Sequence, residues 1–151
     1  LENLCSGDGE PSADLRIRSA ALHGTKIGGS LIPALIDELP ALAVMAAFAE
    51  GTTVIRDAAE LKVKESNRID SIVTNLRAMG CDIEGTQDGM IMHGGRPLHG
   101  AVIDAHDDHR IAMSFAVAAL GAEGETHIPE SGCVAISYPD FFQHLNSLCK
   151  A

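Results

Sequence analysis

Three charged residues crowd together in the segment VKESNR, at Lys64, Glu65 and Arg68. The segment follows a strand-like run and opens a helical stretch, so the pattern predicts Lys64 and Arg68 one turn apart at a helix N-terminus. Cations in that arrangement repel one another and oppose the helix dipole. A bound anion would reverse both penalties, whereas a solvated basic edge paired with Glu65 explains the same residues without any function.

A second basic cluster lies in AHDDHRIAM, where Arg110 falls in the first turn of another predicted helix with His109 beside it. Asp107 and Asp108 come just before, and they are able to cap the helix and neutralise Arg110. Two helices that each open with cations nevertheless favour a shared site for phosphate or carboxylate groups, because helix N-termini and arginine forks both bind such anions.

The carboxylates left for acid–base chemistry are Glu65 and Asp37, which lies in IDELP. Asp37 also suits a helix N-cap, a role that Glu38 could share. The seven histidines show no metal-ligand spacing, and the sequence has no glycine-rich phosphate loop.

The elements that must position these residues repeat along the chain. Residues 43–53, AVMAAFAEGTT, match residues 116–126, AVAALGAEGET, at seven of eleven positions with a constant offset of 73. Each copy reads as an Ala-rich helix, a glycine stop at Gly51 or Gly124, and a strand. A second helix follows in each copy, in KESNRIDSIVTNLRAMG and in YPDFFQHLNSL. The tripeptide LHG recurs at the start of each repeat unit, at residues 22–24 and 98–100.

The pattern predicts β-α-β-α-β-β units of about 75 residues, an α+β class built from α/β-type repeats. Residues 1–21 would be a tail and the last strand, ADLRIRSA, of a preceding unit. Residues 22–97 form unit A, whose closing hairpin spans 82–93, and residues 98–151 form unit B without its closing strands. We expect a piece of a longer protein that supplies those strands.

The composition and net charge of the sequence restrict the partners, the location and the cysteine chemistry that we expect. A net charge of −10 argues against a nucleic-acid or anionic-membrane partner. No apolar run reaches the ~18 residues of a membrane span, and the N-terminal stretch lacks a signal-peptide pattern, so we expect a cytoplasmic protein. The four cysteines are widely spaced without C-x-x-C, which predicts buried thiols rather than a zinc site or a disulfide framework.

The stretches IDELPALAVMAAFAEGTT, ELKVKESNRI and DDHRIAMSF resemble, in this order, three C-terminal signature stretches of the EPSP synthase family, and SYPDFF fits as well. The resemblance spans nearly the whole chain but only about the last third of a full-length member. It implies part of an enolpyruvyl transferase domain, an inside-out α/β barrel of three such units with pseudo-threefold symmetry. It also implies transfer of the enolpyruvyl group of phosphoenolpyruvate to the 5-hydroxyl of shikimate 3-phosphate without a cofactor.

On the acceptor side, the resemblance implies that Asp37 contacts the shikimate hydroxyl and serves as its base, with Lys64 beside the same substrate. Glu65 would handle the proton at the enolpyruvyl methylene. The hydroxyl would attack C2 of phosphoenolpyruvate as C3 is protonated, and the tetrahedral intermediate would then lose phosphate.

On the donor side, Arg68 and Arg110 would hold the phosphate and carboxylate of phosphoenolpyruvate, with His109 in the neighbouring shell. All six residues should converge on one exposed face at the N-termini of their helices. Two positions depart from the family pattern. Asn67 replaces the usual aspartate of KESDR, and Ile136 stands where one branch has a phosphoenolpyruvate-binding lysine, which leaves the anion site one cation short.

The expected partners are the two substrates and the missing N-terminal part of the same enzyme, without which the isolated chain should be inactive. The nearest alternative is a fragment of UDP-N-acetylglucosamine enolpyruvyl transferase, which shares fold, donor and chemistry. The lysine of VKESNR followed by DHR favours EPSP synthase. An alternative from another class is a non-catalytic scaffold domain that only binds anions.

Overall fold

The structure, a computed structural model, describes residues 1–5 and 9–149. The helices are α1 (Ile32–Leu35), α2 (Leu39–Phe48), α3 (Arg68–Ala78), α4 (His109–Leu120) and α5 (Phe141–Leu148). The strands are β1 (Glu2–Cys5), β2 (Ser12–Asp14), β3 (Lys26–Ile27), β4 (Gly51–Ile55), β5 (Asp82–Gly85) and β6 (Met90–Gly94). Short 3₁₀ segments occupy Gly29–Leu31, Ala59–Val63 and Ser131–Ile136.

Strands β3 to β6 form a four-stranded sheet in the order β3-β4-β6-β5. Strand β3 runs parallel to β4, and β6 is antiparallel to both β4 and β5. The β5–β6 pair is the predicted hairpin, with Asp82 opposite His93. Helix α2 packs on β6 and on α3 and α4. The core between sheet and helices includes the fully buried side chains of Ile55, Ile72 and Phe115.

The Ala-rich helix predicted between residues 36 and 50 forms as α2 but begins only at Leu39, because residues 36–38 form a turn between α1 and α2. Pro40 explains the break. It has no N–H to donate to the carbonyl of Ile36, yet its φ suits the first turn of a new helix. Asp37 therefore lies in the turn, and Glu38 occupies the N-cap position without a side-chain capping bond. The break frees Asp37 from a capping role and leaves its side chain available to other partners.

The two LHG tripeptides make the same backbone hydrogen bonds. The N–H of Gly24 donates to the carbonyl of Glu50 at 2.7 Å, and that of Gly100 donates to Glu123, also at 2.7 Å. A side chain at either glycine would collide with the neighbouring backbone carbonyl group. The offsets between these pairs, 76 and 73 residues, are those of the sequence repeat.

The ends of the repeated helices also correspond. Gly51 has a φ of 91° and Gly124 a φ of 88°, which favours glycine at both positions. Asn67 and Asp140, again 73 residues apart, are the N-cap residues of α3 and α5. The equivalence of the two glycines is confirmed, whereas the division of the chain at residue 98 stays a prediction.

Two predicted strands are shorter than expected. The strand predicted at residues 13–20 is only β2, which pairs with β1, and residues 15–20 have no regular structure. After Gly124 the predicted strand forms only isolated pairings, such as Val102 with His127. The hairpin that flanks β4 has no counterpart beside this segment in the part of the chain that the structure describes. A continuous ladder of backbone hydrogen bonds therefore does not form along the segment after Gly124.

Within residues 1–5 and 9–149, no single helix combines the length and the apolar composition needed to cross a membrane. Only residues 29–35 taken together with α2 meet that test, and the two parts are bent by 112° at their break.

The cysteines should differ sharply in reactivity. Burial, with a smaller contribution from the charge of Asp82, raises the pKa of the Cys81 thiol to about 11. Cys5 and Cys149 are exposed, which corrects the expectation that all four thiols are buried. At mildly alkaline pH we expect an alkylating reagent to label Cys5 and Cys149 first and Cys81 only on unfolding, because the thiolate is the reactive form. Peptide mass spectrometry over time measures this order, and rapid labelling of Cys81 in the folded chain would contradict it.

Candidate functional site

Arg68, the first residue of α3, is the centre of the predicted cluster, and its side chain is only 1% exposed. Its Nε donates to Asp108 Oδ2 at 2.7 Å, its Nη1 to Asp37 Oδ1 at 3.0 Å, and its Nη2 to Glu65 Oε2 at 2.5 Å. Three carboxylates thus surround one buried guanidinium. The prediction that all six residues lie on an exposed face is wrong for Arg68.

The start of α3 differs from the sequence prediction as well. Asn67 caps the helix, with its Oδ1 accepting from the Asp70 N–H at 3.3 Å and its Nδ2 donating to Asp70 Oδ2 at 2.6 Å. Lys64 and Glu65 consequently precede the helix and are not one helical turn from Arg68. Asparagine and aspartate are comparable N-caps, so this departure from KESDR exchanges one cap for another.

Lys64 lies between two carboxylates. Its Nζ is 2.9 Å from Glu60 Oε1 and 3.5 Å from Asp37 Oδ1. The hydrogen bond to Glu60 raises the pKa of the Lys64 ammonium, and Asp37 adds to it, while desolvation opposes both. Sequence reasoning missed Glu60, although its spacing of four residues from Lys64 was a usable signal.

Arg110 reaches the same place from the other repeat. Its Nη1 donates to the backbone carbonyl of Asp37 at 2.9 Å and to Glu38 Oε1 at 3.3 Å. The turn before α2 and the first turn of α4, 73 residues apart, therefore meet. His109 is half-buried beside Arg110. In the described residues it shares no hydrogen bond or ion pair with the other predicted site residues.

Asp108 is the site residue whose role the sequence left incomplete. As predicted, it caps α4, since its side chain accepts from the N–H groups of Arg110 and Ile111. Its carboxylate is also completely buried against Arg68, and Ser66 Oγ donates to it at 3.0 Å. The N-cap position was visible in the sequence, but nothing there showed that Arg68 would turn inward to meet it.

Hydrogen bonds and charge decide the ionisation of this cluster. Burial alone would raise the pKa of Asp108, but the hydrogen bond and charge of Arg68 outweigh it and hold the pKa below its ordinary value. The pKa of Asp37 is lowered in the same way, against a burial effect, by Arg68 and Lys64. The carboxylates also raise the pKa of Arg68 despite its desolvation. These three groups, and Lys64 with them, are all charged at neutral pH.

The cluster carries an excess of negative charge. Its three cations are Lys64, Arg68 and Arg110. Its five carboxylates are Asp37, Glu38, Glu60, Glu65 and Asp108. Three positive and five negative charges give a net charge of −2, so an anion that binds here competes with carboxylates already paired with these cations. Within the same described residues, no group of three side chains is suited to hold a metal ion.

Beside the cluster, α2 and α4 border a cleft of about 280 Å³. Arg110 and Asp37 line one end, and the rest is mostly apolar, with Met113 and Phe141 among its walls. Met45 is 49% exposed and Val117 47% exposed on this surface. The cleft thus joins a charged end to an apolar helix face that the described chain leaves uncovered.

Solved structures define the class of protein. An EPSP synthase from Acinetobacter baumannii matches with a TM-score of 0.91 and 42% identity, over 97% of this chain and 35% of that one. The enolpyruvyl transferase NikO from Streptomyces tendae matches with a TM-score of 0.60 and 23% identity, over 97% of this chain and 32% of that one, a likeness of fold alone. The fold is that of an enolpyruvyl transferase domain, as predicted.

Sequence comparison identifies the family. The model of the family EPSP synthase (3-phosphoshikimate 1-carboxyvinyltransferase) matches residues 6–145. The chain is 59% identical over 140 residues to a 3-phosphoshikimate 1-carboxyvinyltransferase of Synechococcus sp. (strain JA-3-3Ab), over 93% of this chain and 32% of that relative. The chain belongs to the EPSP synthase family. It spans about a third of the length of the curated relatives it matches.

Proposed function

We propose that the chain is the C-terminal part of an EPSP synthase, which transfers the enolpyruvyl group of phosphoenolpyruvate to the 5-hydroxyl of shikimate 3-phosphate and releases phosphate. The reaction belongs to the shikimate pathway, which leads through chorismate to the aromatic amino acids. One observation carries the proposal within the site. Asp37 is the point at which Arg68, Lys64 and Arg110 meet, at 3.0, 3.5 and 2.9 Å.

The donor must exchange places with carboxylates of the protein. Arg68 is paired with Glu65 and Asp37, whose side chains are 52% and 44% exposed, so these two partners are accessible to an incoming anion. The carboxylate of phosphoenolpyruvate offers the same two-oxygen geometry to the guanidinium. It replaces them at Arg68, while Arg110 binds the phosphate from the neighbouring helix end, with half-buried His109 beside it.

This exchange prepares both catalytic carboxylates. When the donor replaces Asp37 as a partner of Arg68, Asp37 loses the hydrogen bond that helps to hold its pKa low and becomes a better base. It then accepts the proton of the 5-hydroxyl, beside Lys64, as the hydroxyl oxygen bonds to C2. Glu65, released from Arg68 and entering the step as the carboxylic acid, delivers its proton to C3. When the C2–O bond to phosphate breaks, Glu65 takes a proton back from the methyl group, and the departing phosphate carries away the proton that Asp37 accepted.

The apolar cleft supports a partner for this chain. Helix α2, LPALAVMAAF, has no charged residue on any face, and such a helix is normally covered on all sides. Met45 of α2 is nevertheless about half exposed, as are Val117 and Leu120 of the neighbouring helix α4. We propose that the preceding part of the same enzyme covers this surface, and that residues 22–97 and 98–151 are two units of one domain. A cytoplasmic location stays a prediction from the sequence.

Calorimetric titration tests the proposal. We expect the chain alone to bind phosphoenolpyruvate or shikimate 3-phosphate weakly, because its cations are already paired. A mixture with the preceding part of a related EPSP synthase should bind both substrates much more tightly. Inorganic phosphate at the same concentrations is the control for binding of any anion. Tight anion binding by the lone chain with no gain on mixing would instead favour the scaffold alternative.

A further inference from the structure

The carboxylate of Asp108 accepts hydrogen bonds from groups at the starts of two helices. Oδ1 accepts from the N–H groups of Arg110 at 2.9 Å and Ile111 at 3.4 Å, in the first turn of α4, and also from Nη2 of Arg68 at 3.4 Å. Oδ2 accepts from Nε of Arg68 at 2.7 Å and from Ser66 Oγ at 3.0 Å, at the start of α3. One side chain therefore joins two helix N-termini that come from different repeats.

The loop that delivers Asp108 is strained and firmly anchored. His106 and Asp107 have φ values of 49° and 55°, two consecutive left-handed conformations without glycine. Asn75 in α3, which is 2% exposed, holds this loop: its Nδ2 donates to the carbonyl of Asp104 at 2.8 Å, and its Oδ1 accepts from the Asp104 N–H at 3.0 Å. Such strain persists only where the surroundings impose it, and it is concentrated at functional sites.

The geometry of Arg68 shows what this anchoring achieves. The Nε and Nη2 edge of its guanidinium faces the buried carboxylate of Asp108, whereas Nη1 and the outer side of Nη2 face the accessible carboxylates of Asp37 and Glu65. One edge is held by a partner that solvent does not reach. The other edge is able to exchange its partners without rotation of the side chain.

We propose that Asp108 is a positioning residue: it locks the inner edge of Arg68 and the first turn of α4 together, so that Arg68 and Arg110 face the same donor anion. The inference rests on the proposed function and adds a residue to it. A carboxylate is needed because all its neighbours at this site are donors. The amide of asparagine offers one oxygen to one side and turns its own N–H groups towards the donors of the other.

Asp108→Asn tests the proposal in two ways. In the chain alone, nitrogen-15 NMR of the Arg68 Nε–H should show a shifted signal and faster exchange with solvent. In the chain paired with the preceding part of the enzyme, affinity for phosphoenolpyruvate should fall about 10- to 100-fold, as for loss of a hydrogen bond to a charged group. Affinity for shikimate 3-phosphate should change little. This donor-selective loss is not expected from a purely structural defect.

Asn67→Ala is the matched control, since it removes the N-cap of α3 and leaves the pair of Arg68 with Asp108. It should lower stability without selective loss of donor affinity. If Asp108→Asn fails to fold, Ser66→Ala removes one bond to Oδ2 and should move the same signal by less. An unchanged Arg68 signal in the folded variant, or equal losses for both substrates, overturns the proposal. A different result would separate the two proposals: the Arg68 signal shifts in the variant, but the wild-type chain mixed with the preceding part binds neither substrate. That result supports the role of Asp108 in holding Arg68 and refutes the proposed function instead.

Discussion

We expect no measurable enolpyruvyl transfer from the isolated chain, and recovery of transfer when it is mixed with a polypeptide that supplies the preceding part of an EPSP synthase. The side chains of Asp37 and Glu65 are about half exposed, so the chain alone neither orients two substrates nor excludes water. Proximity and orientation contribute about 7–11 kcal/mol to a barrier of this kind. Since about 1.4 kcal/mol is a factor of ten, their loss removes many decades of rate.

Release of inorganic phosphate from phosphoenolpyruvate in the presence of shikimate 3-phosphate measures this recovery. Each half is assayed alone, and the chain is also mixed with an unrelated carrier protein. Activity should appear only in the matched mixture and should saturate at equal concentrations of the two parts. Turnover by the lone chain at the rate of the mixture would refute the requirement for a second part.

Glu65→Gln should lower the turnover number of the reconstituted pair by about 10²- to 10⁴-fold, the usual contribution of a positioned acid or base. Glutamine keeps an oxygen that is able to accept from Nη2 of Arg68, so local packing survives. It carries no exchangeable carboxyl proton, so the step at the methylene fails. Affinity for phosphoenolpyruvate should change much less than turnover.

Glu84→Gln, an exposed position on β5 outside the cluster, is the matched control for loss of one negative charge. Arg110→Ala is the contrasting variant, because removal of a donor-binding cation should mainly weaken phosphoenolpyruvate binding. Steady-state kinetics at varied donor concentration separates the two effects. A Glu65→Gln pair that turns over like the wild type would show that another group moves the proton.

Local features of the sequence predicted much of the fold. The hairpin β5–β6, the cap of α4 at Asp108 and the equivalent glycines of the repeat depend on neighbours a few residues apart, which a sequence displays directly. The errors arose where one residue overrode a longer pattern or where a strand needed a neighbour. Pro40 set the start of α2 later than the pattern predicted, and the segment after Gly124 has no hairpin beside it among the described residues.

The sequence by itself determined the family, the repeat and the identity of the charged residues, because motifs and identities at a constant offset are visible without coordinates. Only the tertiary structure decided which charges meet. Asp37 and Asp108 lie 31 and 40 residues from Arg68, and they surround it only because α2, α3 and α4 pack together. From the sequence, Arg68 looked like an exposed cation able to bind an anion from solvent. In the structure its guanidinium is buried and already paired with carboxylates, because a buried charge is stable only when it is paired.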